Sequence, residues 1–394
     1  MAEWIVTNLE ECTDVLGDGL HGTPKYTENG EYAFVNGNNL VEGEILIKKE
    51  TKKVDYRQYE KYKKPLTDRT ILVSINGTLG NVGVYDSEKI ILGKSACYFN
   101  VKQSVDKDFI YYVVSSPVFR RYLENNATGT TIKNISLKQM REYTFSIPQI
   151  DEQRRISSVL RKIDEKIKNN KAINNNLEQQ AQAYFDELFV VNTDPNWSEC
   201  TLSDIGSVVA GGTPSKSKPE YYADQGIAWI TPKDLSVNKS KFISHGENDI
   251  SELGFSKSSA TKMPAGTILF SSRAPIGYIA IAQNEITTNQ GFKSVIPNEN
   301  IGTAYLYFLL KNLLPTIEGM ASGSTFKEIS GSTMKSVPTV MPDADTIQLF
   351  SSFCEPVFKE QEILEAENQR LSALRDSLLP KLMSGELDVS DIDL

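Results

Sequence analysis

The clearest pattern along the chain is a seam of positions spaced alternately by four and three. It runs through Ile156, Leu160, Ile163, Ile167, Asn170, Asn174, Leu177, Ala181, Tyr184 and Leu188. The same spacing returns at Phe350, Cys354, Val357, Gln361, Leu364, Asn368, Leu371, Arg375, Leu378 and Leu382. Such a seam marks helices that pair as a coiled coil. A merely solvated helix would not keep it in both places. Two long helices are therefore predicted, over 151–190 and 343–385, each opening after a proline, Pro148 or Pro342. The linker Val191–Asn196 is short, so the second helix can meet the first only by running back antiparallel. The predicted rod is about 58 Å long at most. Asn170, Asn174 and Asn368 would lie near its pseudo-two-fold axis, where a buried amide fixes register at some cost in stability.

The segments before the helices, 1–150 and 191–342, read differently. Short β-rich runs (Thr70–Ile75, Thr267–Ser272, Tyr278–Ala282) alternate with Gly, Asn and Pro punctuation and with helical stretches at Asp108–Tyr122 and Thr303–Leu314. These segments are copies of each other. Trp4-x4-Leu9 recurs as Trp197-x4-Leu202, and Gly22-Thr23-Pro24 as Gly212-Thr213-Pro214. Thr70-Ile71-Leu72-Val73-Ser74 with Gly80 recurs as Thr267-Ile268-Leu269-Phe270-Ser271 with Gly277. Ala127-Thr128-Gly129-Thr130-Thr131-Ile132-Lys133-Asn134-Ile135-Ser136 recurs as Ala321-Ser322-Gly323-Ser324-Thr325-Phe326-Lys327-Glu328-Ile329-Ser330. Four matches in one order define a duplication. The predicted fold class is α+β: two similar α/β domains separated by an antiparallel coiled coil of two long helices, with internal pseudo-two-fold symmetry and an acidic tail over 386–394.

Charge changes this picture only locally. The formal net charge is −9, which by itself disfavours a nucleic-acid partner. Yet residues 48–69 hold nine Lys or Arg against four acids, while the tail carries Glu386, Asp388, Asp391 and Asp393. No apolar run reaches the length of a membrane span, so no membrane partner is expected. The opening Met1-Ala2-Glu3-Trp4 lacks the basic and apolar regions of a signal peptide. Cys12, Cys97, Cys200 and Cys354 are scattered without metal-ligand spacing, and a reducing, cytoplasmic setting is expected. With only His21 and His245 to help, no metal site is expected.

Catalytic motifs fail on inspection. Gly93-Lys94-Ser95 resembles the end of a P-loop, but Glu88 stands where the cradle needs glycine. Gly77, Gly80 and Gly83 look like a nucleotide loop, yet the second copy reads Ala274, Gly277 and Ala280, which fits turn geometry better. Glu50-Thr51-Lys52 has the carboxylate-x-lysine form of some nucleases without a partner acid. Neither histidine belongs to a triad, and Gly211 stands where the first copy has His21. The chain is expected to be non-catalytic.

Two similar modules on a rigid spacer suit a regularly spaced linear ligand such as double-stranded DNA. Arg, Asn and Gln read base edges, while Lys, Arg, Ser and Thr position phosphates. The candidate base readers are Asn36, Asn38 and Asn39 in the first copy and Arg273, Asn289 and Gln290 in the second. Candidate phosphate contacts in the first copy are Lys25, Lys52, Lys53, Arg57, Lys63, Lys64, Arg69 and Lys133. In the second they are Thr213, Ser215, Lys216, Lys218, Lys233, Lys293 and Lys327.

The whole chain resembles the specificity subunit of type I restriction–modification enzymes. The resemblance rests on the domain–helix–domain–helix plan, the paired Gly-Thr-Pro loops and the repeated Ala-x-Gly segments. It rests also on Ile147-Pro148 with Gln153, and on the closing run Leu378-Leu379-Pro380-Lys381-Leu382-Met383-Ser384-Gly385-Glu386-Leu387. The second helix opens differently, with Asp345 and Thr346 after Met341-Pro342. The resemblance implies two target recognition domains that read a bipartite DNA site. It implies helices that act as a ruler and dock two methyltransferase subunits, with motor–nuclease subunits joining them. S-adenosylmethionine, ATP and magnesium would belong to those partners, and this chain would hold no cofactor. A coiled-coil scaffold without DNA specificity is the alternative, and it predicts no salt-dependent DNA affinity. A single-chain DNA-modifying enzyme would need a cofactor loop that the sequence lacks.

Overall fold

The structure, a computed structural model, describes residues 4–273, 275–323 and 327–389. The repeat positions Ala274, Ser324, Thr325 and Phe326, the first three residues of the chain and the tail acids Asp391 and Asp393 lie outside the described residues. The chain forms two compact units. One comprises the chain up to Ile167 together with the stretch from Arg370 onward; the other is Lys168–Gln369. Each unit thus contains one globular domain and a segment of both long helices.

In the first unit Thr13–Asp18, Ala96–Val101, Thr70–Ser74 and Val82–Val84 form an antiparallel sheet in that order. Every residue of Thr70–Ser74 is buried, because layers pack on both faces. Side chains alternate along a strand. Ile71 and Val73 therefore join Phe99, Phe109, Phe119 and Leu123 on the helical side. Leu72 faces the other way, with Ala33, Val35 and Leu40. A second sheet, Lys53–Val54, Tyr32–Val35 and Ile90–Leu92, closes that side. The second unit repeats the plan: Ile268 and Phe270 of Ile268–Ser272 meet Phe308 and Phe350, while Leu269 meets Ile230 and Phe292.

The helical stretch expected over Asp108–Tyr122 is two helices, Lys107–Ser115 and Pro117–Asn126. Pro117 disfavours helical geometry at the residue before it. Ser116 accordingly adopts φ −71° and ψ 151° and caps the second helix by accepting from the Phe119 N–H. In the second unit Thr303–Met320 continues past the expected end at Leu314, with Pro315 inside it.

The long helices are Ile150–Asp186, ending in a π-turn over Glu187–Val191, and Ala344–Met383. Both segments of the pair are antiparallel. In the first unit Ile156 and Leu160 share a core with Leu379 and Leu382, with Leu378 packed against it. Asp164 meets Arg375, one turn further along. Ile163 and Leu371 are half-buried and Ile167 is buried. In the second unit Asn170 donates to Glu367 at 2.6 Å and to Asn368 at 3.0 Å. Asn174 and Gln361 exchange side-chain-to-backbone hydrogen bonds. Ala181 and Phe185 pack with Phe350 and Cys354 beyond, and Val357 borders them. Leu364 is buried and Leu177 half-buried. The Oδ1 atoms of Asn170 and Asn174 have no partner among the described residues. These two amides thus carry a desolvation cost at the middle of the helix pair.

A buried ion network fastens the second domain to its helix segments. Lys241, 8% exposed, reaches Glu178 at 2.5 Å and Gln361 at 2.7 Å, and lies 3.9 Å from the centre of the Phe358 ring. Lys311 reaches the other Glu178 oxygen at 2.5 Å. Burial works to raise the Glu178 carboxyl, and the ammonium groups of Lys241 and Lys311 outweigh it, holding the carboxyl below the ordinary glutamate range. A lowered folded-state value means that the stabilisation is present above the ordinary range and is lost as pH falls through the lowered one. Glu178→Ala should cost about 3 kcal/mol at neutral pH, because the buried Lys241 and the half-buried Lys311 lose their partner. Lys241→Met should cost less, since its surroundings are aromatic. Urea unfolding of both variants across pH 3–7 checks this; equal losses, or a Glu178 effect that persists at pH 3, would contradict it.

Candidate nucleic-acid interface

Four backbone hydrogen bonds tie the loops at one end of each domain. In the first domain Leu20 N–H donates to Leu92, Gly93 to Val35, Ile75 to Ser95 and Ile135 to Ile75, at 2.7–2.9 Å. In the second, Gly212 donates to Thr288, Asn289 to Ile230, Ser272 to Gly291 and Ile329 to Ser272, at 2.8–3.0 Å. The two sets are the same construction. They make Gly93-Lys94-Ser95 the counterpart of Asn289-Gln290-Gly291. They also show that Gly22-Thr23-Pro24 follows its anchoring hydrogen bond two residues later than Gly212-Thr213-Pro214 does.

The equivalence sorts the candidate residues. Between the ties, the side chains at matching places are Asn38 and Lys233, Lys94 and Gln290, Asn76 and Arg273, and Lys133 and Lys327. Asn76, Arg273 and their partners across the loops, Asn134 and Glu328, are half-exposed or half-buried; Asn38, Lys233, Lys94, Gln290, Lys133 and Lys327 are exposed. Asn76 pairs with Asn134 and Arg273 with Glu328 through the same isolated antiparallel bridge. Gly80 and Gly277, the middle glycine of the apparent nucleotide loop and its copy, both take positive φ, 78° and 94°, a conformation that favours glycine.

Several candidates are engaged elsewhere. Asn39 is buried: its Oδ1 accepts from Asn36 N–H, and its Nδ2 donates to the Leu46 carbonyl and Thr51 Oγ1. Asn36 is half-buried and accepts from Ser95 Oγ at 2.9 Å. Together they shape the turn that displays Asn38, as Thr231 and Asp234 shape the turn beneath Lys233. Asn289 accepts from Gly291 N–H at 2.8 Å and shapes the turn beneath Gln290. Asn39 thus has both ends of its amide engaged and buried, whereas Asn36 and Asn289 are half-buried with only their Oδ1 atoms engaged in these turns. Lys293, proposed for phosphate, is 9% exposed and lies within the sheet.

Arg69 is corrected most sharply. Its guanidinium donates to the carbonyls of Val101, Lys102 and Val105 at 2.7–3.0 Å. It stands at the start of Thr70–Ser74, whereas the tied loops leave from the other end, about 17 Å away at 3.3 Å per residue. The rest of the basic run flanks the loop bearing Gly22: Thr27 N–H donates to the Lys53 carbonyl, and Lys25 N–H to Gln58 of the helix Tyr56–Tyr62. On this flank Lys25, Lys52, Lys53 and Arg57 are exposed and Lys64 is half-buried, while Lys63 pairs with Glu60 at 2.9 Å. In the second domain Thr213 hydrogen-bonds Gln290, Ser215 bonds Ser217, and Lys233 pairs with Glu247. Lys216 is exposed, and Lys218 lies 3.7 Å from Glu220.

Lys94 and Asn76 were not among the sequence candidates. Carrying the repeat through at its own offset, from Gln290 and Arg273, would have found both. Burial pushes all four thiols up, Cys97 strongly and Cys354 to about 12. Among the described residues no cluster of three or more His, Cys, Asp or Glu could hold a metal, and no helix is long and apolar enough to cross a membrane.

A chain that builds the same loop platform twice, each time followed by a long helix, is a two-module recognition protein. It belongs to the family described as the type I restriction modification DNA specificity domain, which matches it twice, over 1–179 and 195–373. It is 40% identical over 190 residues to the specificity subunit of the type I restriction enzyme MjaIX of Methanocaldococcus jannaschii. That match spans 46% of this chain and less than half, 44%, of the relative. The specificity subunit of the HindI enzyme of Haemophilus influenzae is 24% identical over 357 residues, 71% of this chain and 77% of that one. The fold is also that of the crystal structure of a type I restriction–modification S subunit from M. genitalium, with a TM-score of 0.60 at 22% identity over 97% of this chain and 96% of that one.

The structural role of Arg69 is testable by itself. Arg69→Ala should lower stability by about 2 kcal/mol, since three carbonyls lose a charged donor. Lys94→Ala should stay within about 0.5 kcal/mol. Denaturant unfolding compares them, and an Arg69→Ala variant as stable as the parent would contradict the assignment.

Proposed function

We propose that the chain is a sequence-specific DNA-binding specificity subunit that directs methyltransferase and restriction subunits of a type I restriction–modification complex to a bipartite target. The observation that carries this reading is the loop platform built twice with different exposed side chains. An identical scaffold presenting Asn38, Asn76 and Lys94 in one domain, and Lys233, Arg273 and Gln290 in the other, suits two half-sites of different sequence. Lys133 and Lys327, the same residue at matching places, suit the phosphate contacts that every sequence offers. Membership of the specificity family supports the same conclusion.

The chain itself performs no chemistry in this reading. Two methyltransferase subunits and the motor–nuclease subunits supply it, together with S-adenosylmethionine, ATP and magnesium. The complex works in the cytoplasm, where its DNA is. A negative net charge is compatible with this, because the basic and amide-bearing side chains gather on the loop platforms and their flanks while other surfaces meet protein.

Methylome sequencing of a host without other methyltransferases, expressing this chain with its methyltransferase subunit, tests the function. The expected result is a bipartite motif carrying N6-methyladenine, lost when this chain is omitted. A blank methylome from an assembled complex would favour the coiled-coil scaffold instead. Within the complex, Lys133→Ala should weaken binding to all duplexes alike and reduce the slope of log affinity against log salt by about one, the value for one phosphate contact. An unchanged slope would remove Lys133 from the phosphate contacts.

A further inference from the structure

The matched pair Asn76–Asn134 and Arg273–Glu328 carries more than a generic contact. In the first domain Asn76 Nδ2 donates to Asn134 Oδ1 at 3.1 Å. This leaves the Asn76 Oδ1 and one Nδ2 hydrogen without a hydrogen bond. In the second domain Arg273 Nη1 lies 3.5 Å from Glu328 Oε2. The other Glu328 oxygen faces Lys293 Nζ at 4.0 Å. Strand register places Lys293 where the first domain has Cys97: Cys97 pairs with Asp18, and Lys293 with the matching Ala210. A neutral trio, Asn76, Asn134 and Cys97, thus becomes a charged one, Arg273, Glu328 and Lys293, at the same place in the same scaffold.

The charged trio is ordered from inside to outside. Lys293 is buried in the sheet and its ammonium requires an anion nearby. Glu328 supplies that anion, and its second oxygen holds one edge of the Arg273 guanidinium. Arg273, with 38% of its side chain exposed, keeps its remaining donors for a ligand. A guanidinium fork with two parallel donors matches O6 and N7 of guanine, and a primary amide with one donor and one acceptor matches N7 and N6 of adenine.

We propose that Arg273, held by Glu328 and Lys293, reads a guanine in the half-site of the second domain, and that Asn76, held by Asn134, reads an adenine at the corresponding place in the half-site of the first. Glu328, Lys293 and Asn134 are positioning residues in this scheme. The inference rests on the DNA-reading function proposed above and adds the identity of one base in each half-site.

Exchanging the pairs tests it. The full chain bearing Arg273→Asn, Glu328→Asn and Lys293→Cys, so that no buried ammonium is left without an anion, expressed with its methyltransferase subunit, should yield a motif in which one guanine of one half becomes adenine while the other half is unchanged. The reciprocal chain, Asn76→Arg with Asn134→Glu, should convert one adenine of the other half to guanine. The retained half is the internal control for folding and assembly. Duplex binding by each complex should show the corresponding reversal, with discrimination of roughly 5- to 150-fold at that one position. Unchanged motifs, changes at several positions, or changes in the wrong half would overturn the base assignment while leaving the function intact. Variant complexes that melt like the parent yet bind neither base would also overturn it. A parent chain that yields no bipartite motif would overturn the function itself, and the base assignment with it.

Discussion

The exposed side chains at matching places in the two domains are held out by one hydrogen-bonded crossing, repeated in each domain. A loop leaving the smaller sheet donates to the strand parallel to it, Gly93 to Val35 or Asn289 to Ile230, and then accepts from the end of the central sheet, at Ser95 or Gly291. The ties are backbone groups, so they survive almost any change of side chain between them. This is why Lys94 and Gln290, or Asn76 and Arg273, can differ completely while occupying equivalent places. Backbone ties of this kind separate the scaffold from the chemistry displayed on it.

The duplication is less strict where the domains meet their helices. Both use a tyrosine from the helix that follows the central sheet, and both give its hydroxyl to an acid of the first long helix. Tyr112 donates to Asp164 at 2.7 Å, and Tyr307 to Glu178 at 3.3 Å. The cations differ in origin. Arg375 of the second long helix meets Asp164 at 2.9 Å, whereas Glu178 takes Lys241 and Lys311 from the globular domain itself. The present asymmetry distinguishes the two attachment sites energetically, since a carboxylate serving two cations in an aromatic pocket is more deeply desolvated than one serving a single arginine.

The sequence was most informative where periodicity and repetition act together. The seam from Ile156 to Leu188 and from Phe350 to Leu382 is buried or half-buried at every position in the structure, because a heptad pattern leaves a helix one face to hide. The five-residue run Thr70–Ser74 and the strand Ile268–Ser272 are central strands buried at every position, around three consecutive apolar residues in each copy. Side-chain roles were much less legible. Asn36, Asn38 and Asn39 are indistinguishable as residue types, yet one is displayed and two build the turn that displays it. Arg69 lies in a basic run and serves three carbonyls, a role that appears only when Val101–Val105 is brought beside it. Lys293 reads as a surface lysine until the register of its strand places it inside the sheet.

Recognition of a bipartite target requires the two loop platforms to touch DNA at equivalent places. The direct measurement is site-specific photo-crosslinking, with a benzoylphenylalanine at position 94 in one chain and at position 290 in another, in the assembled complex on a duplex carrying its target. Each probe should crosslink to DNA, the first in one half-site and the second in the other, with unlabelled nucleotides between them. Crosslinks to partner protein alone, or both probes marking the same half-site, would contradict the central claim.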